Sequence, residues 1–102
     1  METINITRHA EKRASQRGIT MEQISMCLDF GEKLNRTGVQ FYFFSKKCLK
    51  KLKKVTGVYM QRLEGLTVMV NTGANGVLKV ITVYKNQNAL SMIKKKGVFN
   101  AN

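Results

Sequence analysis

A lysine-rich segment in the middle of the chain is the feature that most constrains the fold. Six of the nine residues at positions 46–54 are lysines, and the other three are Cys48, Leu49 and Leu52. These three can bury only one narrow stripe, so we expect either a short surface helix or an extended basic loop. Because six like charges repel one another unless an anion neutralises them, we favour a phosphate-contacting surface over an ordinary solvated one. The predicted contact residues are Lys46, Lys47, Lys50, Lys51, Lys53 and Lys54.

The whole chain carries the same bias toward positive charge. Its 18 Lys and Arg residues against 6 Asp and Glu residues give a formal net charge of +12. A polyanion is the partner that such a charge favours most, since neutralised phosphates release their counterions and drive binding. Adsorption to an anionic membrane is the weaker alternative, because the apolar stripe within 46–54 is thin. We therefore predict RNA, or another nucleic acid, as the partner, and no membrane.

Length, hydropathy and cysteine usage limit the classes of protein and the kinds of site that the chain can form. The 102 residues fit one domain, residues 1–102, and 43% of them are hydrophobic. No stretch approaches the roughly 18 to 20 apolar residues of a membrane span, and the first residues lack a signal-peptide pattern, so we expect a cytoplasmic protein. Cys27 and Cys48 lack CxxC spacing, which favours free packed thiols over a disulfide. One histidine and two scattered cysteines are too few for a structural zinc site, and we predict neither metal nor cofactor.

Helix start and stop signals cluster in the first third of the chain. Thr7 can cap a helix that runs to about Arg17, with Gly18 as a left-handed stop. The residues 20–23 have the spacing of a capping box, and Gly31 ends the helix that they open. The expected buried face of this second helix consists of Met21, Ile24, Cys27 and Leu28.

Strand patterns follow in the remaining two thirds. The predicted strands are Val39–Phe44, Leu66–Val70 and Val77–Tyr84, with a further one at Tyr59–Leu63. A turn at residues 72–76 makes a hairpin of the last two, and residues 89–96 are expected to form one or two helical turns. This order predicts an α+β fold in which two N-terminal helices pack on one face of an antiparallel sheet.

The first helix carries the only histidine beside two arginines. His9, Arg13 and Arg17 are spaced i, i+4 and i+8, so they lie along one side of the helix and border its buried stripe. Lys12 and Gln16 are expected to face away from this side. Cations at the edge of a core need an anion opposite them. A phosphate would serve, and so would Asp29, Glu32 or Glu64 in an internal salt-bridge cluster. Both interpretations stay open at this point.

Four consecutive aromatics occupy the first of the predicted strands. Phe41 and Phe43 are expected to face the core, with Tyr42 and Phe44 on the opposite side. A strand buried on both faces is favoured over a base-stacking platform. Tyr42 is the aromatic that we expect to be exposed and to contact nucleic acid.

Several of these residues resemble a known family. The run His9-Ala10-x-x-Arg13-x-x-x-Arg17-Gly18-Ile19-Thr20 resembles the opening motif of the domain-of-unknown-function 4258 family. The later Leu78-x-x-Ile81-Thr82-Val83-Tyr84 resembles its closing strand, with Gly31-Glu32 and the segment Gly65–Val68 between them. The resemblance spans roughly residues 5–86, and the lysine-rich segment is a departure from it. It implies kinship with small toxins of the barnase, EndoU, colicin and RelE (BECR) type, which are metal-independent ribonucleases. Their N-terminal helices pack on a curved antiparallel sheet.

The resemblance also implies roles for particular residues. His9 would transfer a proton during RNA cleavage, Arg13 and Arg17 would clamp the phosphate, and a Glu, Lys or Tyr would be the second proton carrier. Thr82 and Tyr84, on one face of the last strand, would bond the phosphate or stack on a base. We predict a metal-independent, toxin-like endoribonuclease that an acidic antitoxin or immunity protein holds in check. The alternatives are a non-catalytic nucleic-acid-binding regulator or inhibitor, and a module that docks an acidic protein.

Overall fold

Three α-helices and a five-stranded sheet form the described chain, so the predicted α+β class is confirmed. The structure is a computed structural model, and it describes residues 4–72 and 76–85. The elements follow in the order β1 (Ile4–Ile6), α1 (Arg8–Gln16), α2 (Met21–Phe30), β2 (Glu32–Arg36), β3 (Val39–Phe43), α3 (Lys46–Thr56), a 3-10 helix (Gln61–Leu63), β4 (Leu66–Thr72) and β5 (Leu78–Lys85). Residues 73–75 of the turn predicted at 72–76 lie outside the described residues, as do the helical turns predicted at 89–96.

The sheet is mixed, and the prediction of a wholly antiparallel sheet is wrong at one edge. Its strand order is β1-β5-β4-β3-β2. The short strand β1 pairs with β5 in parallel, whereas all other described pairs are antiparallel. Three residues are too few to show a period of two in the sequence, so β1 gave no signal. The polar strand β2 was also not predicted, and it joins β3 through Thr37 and Gly38, whose φ angles of 48° and 78° suit a two-residue hairpin turn.

The two N-terminal helices form as their caps predict. The Thr7 hydroxyl accepts a hydrogen bond from the Ala10 amide, and Gly18 has a φ of +68° after the helix end. The capping box of α2 is complete, since Thr20 and Gln23 bond each other's backbone amides. α1 packs on β5 and α2 on β3 and β4. Met21 is the exception on the predicted buried face of α2, because its side chain is exposed at the first helical position.

The lysine-rich segment is a helix, which decides between the two predicted alternatives. Ser45 caps α3 by accepting a hydrogen bond from the Cys48 amide, and Gly57 ends it in the left-handed conformation with a φ of 81°. Cys48, Leu49 and Leu52 are all buried, as the stripe predicts. The prediction of a further strand at Tyr59–Leu63 is wrong. The Leu63 amide bonds the Met60 carbonyl and the Glu64 amide bonds the Gln61 carbonyl, so this backbone closes on itself as a 3-10 turn.

The main core lies between the helices and one face of the sheet. It joins Ala10 and Ala14 of α1, Ile24 and Cys27 of α2, Cys48, Leu49 and Leu52 of α3, and Tyr42, Phe44, Leu66, Val68, Val70, Val80 and Val83 of the sheet region. Tyr42 and Phe44 therefore face the helices, whereas Phe41 and Phe43 are buried on the other face of the sheet, so the predicted order of the two faces is reversed. The favoured prediction of a strand buried on both faces is confirmed, since all four aromatic side chains are buried. The alternation itself is right, but a strand whose two sides are both apolar does not show which side the helices will cover.

Both cysteines are free and buried, as predicted. The Cys27 thiol donates a hydrogen bond to the Tyr42 carbonyl at 3.3 Å and lies within the core. Burial, and secondarily the neighbouring Cys48, raises the pKa of Cys27 well above its ordinary value. A thiol held in its neutral form is a poor nucleophile, so Cys27 serves packing. Its helix also ends closely against β3, since a Cβ at Gly31 would lie 2.9 Å from the Phe43 carbonyl oxygen.

Candidate nucleic-acid interface

The outer side of α3 presents a continuous cationic surface, which we call the lysine face. It comprises the six lysines Lys46, Lys47, Lys50, Lys51, Lys53 and Lys54, all of them exposed. At 100° per residue, Lys46, Lys50 and Lys54 follow one line along the helix, with an axial step of about 6 Å between neighbours. Leu49 and Leu52 anchor the opposite side in the core. The fold therefore holds six ammonium groups outward on a rigid element.

No acidic residue in the surrounding sequence offsets this charge. Between positions 33 and 63 the chain has nine Lys and Arg residues and neither Asp nor Glu. The first turn of α3 has no acidic residue and begins with Lys46 and Lys47, although the helix dipole favours negative charge there. Lys53 and Lys54 in the last turn agree with the dipole. The lysine face is therefore electrostatically unfavourable for α3 by itself and favourable for an anion.

A second cationic surface lies on the outer side of α1. His9, Lys12, Arg13 and Gln16 line a surface depression of about 260 Å³, and we call these four residues the α1 stripe. The structure thus brings His9 and Arg13 together, as predicted. Lys12 and Gln16, which were predicted to face away, belong to the same stripe. The spacing i, i+3, i+4 and i+7 from His9 was the signal that identifies them.

Within the described part of the chain, the predicted cations of α1 have no ion-pair partner. No carboxylate in residues 4–72 and 76–85 forms an ion pair with His9, Arg13 or Arg17. An internal salt-bridge cluster, the alternative left open by the sequence, is therefore not what these residues form. Arg17 is the residue after the end of α1, where its amide bonds the Arg13 carbonyl, and it is not among the described residues of the depression.

Thr82 and Tyr84 lie on the other face of the sheet. Val83 faces the core together with Ala14, and strand alternation places Thr82 and Tyr84 on the opposite side. The strand register agrees, because Thr82 pairs with Met69 and Tyr84 pairs with Thr67, and neither partner belongs to the main core. The structure therefore separates these two residues from His9 and Arg13. Burial raises the pKa of Tyr84, which favours its neutral phenol.

Tyr42 is not available as a stacking platform. Its side chain is only 9% exposed and belongs to the main core, so the expectation that it is exposed is wrong. The Lys33 ammonium lies 5.8 Å from the centre of its ring, at the outer distance for a cation–π contact. No group of three His, Cys, Asp or Glu side chains that could hold a metal ion occurs within the described ranges. Nor is any helix in those ranges long and apolar enough to cross a membrane.

Comparison with known proteins gives a match to a protein family. A family model described as Domain of unknown function (DUF4258) matches residues 6–85, from the end of β1 to the end of β5. Neither a curated protein nor a solved structure matches the chain. The matched range includes the α1 stripe, α3 and the whole of β5.

Proposed function

The chain belongs to the DUF4258 family, and from the geometry of α3 we propose that it binds RNA through the lysine face. The observation that carries this proposal is a rigid helix with six exposed lysines in a stretch of sequence that has no carboxylate between positions 33 and 63. Lysine ammonium groups neutralise phosphates as point charges and release counterions from the nucleic-acid backbone.

This mode of contact makes binding independent of base sequence. Phosphate contacts position a protein, whereas hydrogen bonds and stacking on bases provide specificity. The lysine face has no arginine fork, no amide side chain and no aromatic ring among its residues 46, 47, 50, 51, 53 and 54. We propose RNA as the form of nucleic acid because the DUF4258 resemblance implies kinship with ribonuclease toxins.

A salt series with matched variants tests this proposal. Binding of a short unstructured RNA is measured by fluorescence anisotropy between about 50 and 200 mM salt. The test variant carries Lys47→Gln, Lys50→Gln and Lys54→Gln. The control carries Lys33→Gln, Lys79→Gln and Lys85→Gln, which remove three exposed charges from the strands. We expect the test variant to lose about 2 units of the slope of log K against log salt, and the control to keep its slope. Equal losses in both variants would contradict a defined lysine face.

Metal-independent RNA cleavage is a second candidate function, and the α1 stripe favours it. His9 and Arg13 border the same depression without a carboxylate partner among the described residues. His9 would accept the proton of the 2′-hydroxyl, Arg13 would stabilise the developing phosphorane charge, and the Lys12 ammonium would protonate the leaving 5′-oxygen. Thr82 and Tyr84 are left out of this arrangement, since they lie on the other face of the sheet.

Cleavage in the presence of EDTA tests this second candidate. Wild type, His9→Ala and Ser15→Ala, a control at an exposed position of α1 outside the depression, are incubated with total RNA, and fragments are separated on a gel. Cleavage by wild type and Ser15→Ala but not by His9→Ala would support the candidate. Intact RNA in all three samples, with the fold verified by circular dichroism, would leave binding alone as the function.

A further inference from the structure

An apolar groove that the RNA-binding proposal does not use runs beside α2. It has a volume of about 710 Å³ and lies between α2 and the segment that joins α3 to β4. Met26 of α2 and Val58, Tyr59, Met60 and Leu63 of the joining segment provide its apolar lining. Leu63 is buried, whereas Val58 is 57% exposed. A concave, mostly apolar site of this volume is typical of a place where another molecule binds.

The exposed valine is held in place by its own turn. The Val58 amide donates a hydrogen bond to the Thr56 hydroxyl at 3.2 Å, directly after the left-handed Gly57 that ends α3. Tyr59, Met60 and Met26 are partly buried and pack against the core. The groove is thus preformed, and its two methionines can adapt to the shapes of inserted side chains.

Charge around the groove selects the kind of partner. Arg62 lines it, and Lys53 and Lys54 lie a few residues before Val58 at the end of α3. Glu22 is the only carboxylate among the described lining residues, at the start of α2. A partner that pairs with this border must carry carboxylates beside its apolar side chains.

We propose that this groove binds an acidic amphipathic helix of another protein. Its apolar side chains, spaced i, i+3, i+4 and i+7, would insert between Met26 and Met60 and cover Val58, as in other helix-in-groove complexes. Its carboxylates would face Arg62 and the lysines at the end of α3, away from Glu22. The residues that line the groove lie outside the lysine face, and only Lys53 and Lys54 belong to both surfaces. Insertion of the apolar side chains therefore does not depend on whether RNA is the ligand of the lysine face.

A peptide selection tests the proposal with the full chain. Random peptides of about 16 residues, roughly four helical turns, are displayed and selected on the wild-type protein. The peptides that bind are then measured on Val58→Ser and on Val55→Ser, a matched control. Val55 is 77% exposed on α3 and is not among the described lining residues of the groove. Melting curves check that both variants are folded.

The expected result is an enrichment of acidic peptides with apolar residues at helical spacing. Their affinity should fall about tenfold on Val58→Ser, because a buried valine side chain is lost, and should stay unchanged on Val55→Ser. Selection of acidic peptides without apolar periodicity, of basic peptides, or of none would overturn the proposal. So would equal affinity for the two variants.

Discussion

The helices α1 and α3 both turn cations outward, but they meet the core in different ways. α1 contacts it through the small side chains Ala10 and Ala14, whereas α3 uses Leu49 and Leu52. The outer side of α1 mixes histidine, lysine, arginine, glutamine and glutamate, while that of α3 consists of lysine almost throughout. Burial of the inner side of α1 or α3 does not require these outer residues.

The difference separates what binding needs from what catalysis needs. Binding of a phosphate backbone needs charge density on one rigid surface, and α3 provides it from a single helix. Acid–base catalysis needs groups that converge on one bond from several directions. The described residues around the depression on α1 all come from that one helix, and Thr82 and Tyr84 lie on the other face of the sheet. Of the two proposals, the geometry of the described residues therefore favours RNA binding by α3.

The largest effect is expected from the inner side of α3. Leu49→Ala should destabilise the protein by about 2–5 kcal/mol, because the buried leucine leaves a cavity in the core. Urea denaturation gives the free energy of unfolding, with the exposed Lys51→Ala as control. A change below about 1 kcal/mol for Leu49→Ala would mean that α3 is only loosely attached.

A smaller loss of stability is expected on α1, where the substitution adds volume to the core instead of removing it. Ala10→Leu should destabilise the protein by about 1–3 kcal/mol, since the fully buried alanine leaves no room against the sheet. Ser15→Leu, at an exposed position of the same helix, should change the free energy of unfolding little. If both leucines were equally tolerated, the close packing of α1 on β5 would be contradicted.

Local signals predicted the helices well and the sheet only in part. Thr7, Thr20 and Gly18 mark helix ends through hydrogen bonds and a φ angle that depend on neighbouring residues alone. The pairing of Ile4–Ile6 with β5 joins positions more than seventy residues apart, and no local pattern contains it. The roles that the resemblance implied put Thr82 and Tyr84 in one site with His9, and no local pattern could show that they lie on the other face of the sheet. The face of a strand that a helix covers is decided by tertiary packing.

A modest gain in stability is expected when the lysine face is diluted. Lys50 is flanked by Lys46 and Lys54 at i−4 and i+4, so Lys50→Gln removes two repulsive pairs of roughly 0.2–0.5 kcal/mol each. The melting temperature should rise slightly at low salt and the gain should vanish at high salt, while RNA affinity falls. A variant that loses stability as well as affinity would show that Lys50 has a structural role instead.

The smallest effect concerns alkaline pH. Burial raises the pKa of Tyr84 from its ordinary value of 10.0, so the unfolded phenol ionises first as the pH rises. The contribution of Tyr84 to the free energy of unfolding should be fully present below pH 10.0. It should be lost as the pH rises through the pKa of the folded state. Cys27 should add its own loss, which begins near its ordinary value of 9.0. Tyr84→Phe should lessen the decline in urea midpoint above pH 10.0, and an unchanged decline would contradict this burial.

The most direct test compares the two helices in one experiment. Amide chemical shifts of the isotope-labelled protein are followed by NMR during titration with a short RNA. The account predicts that the largest changes occur at residues 46–56 of α3, with smaller ones at residues 8–16 of α1. Changes that concentrate at His9, Lys12 and Arg13, with α3 unaffected, would contradict it.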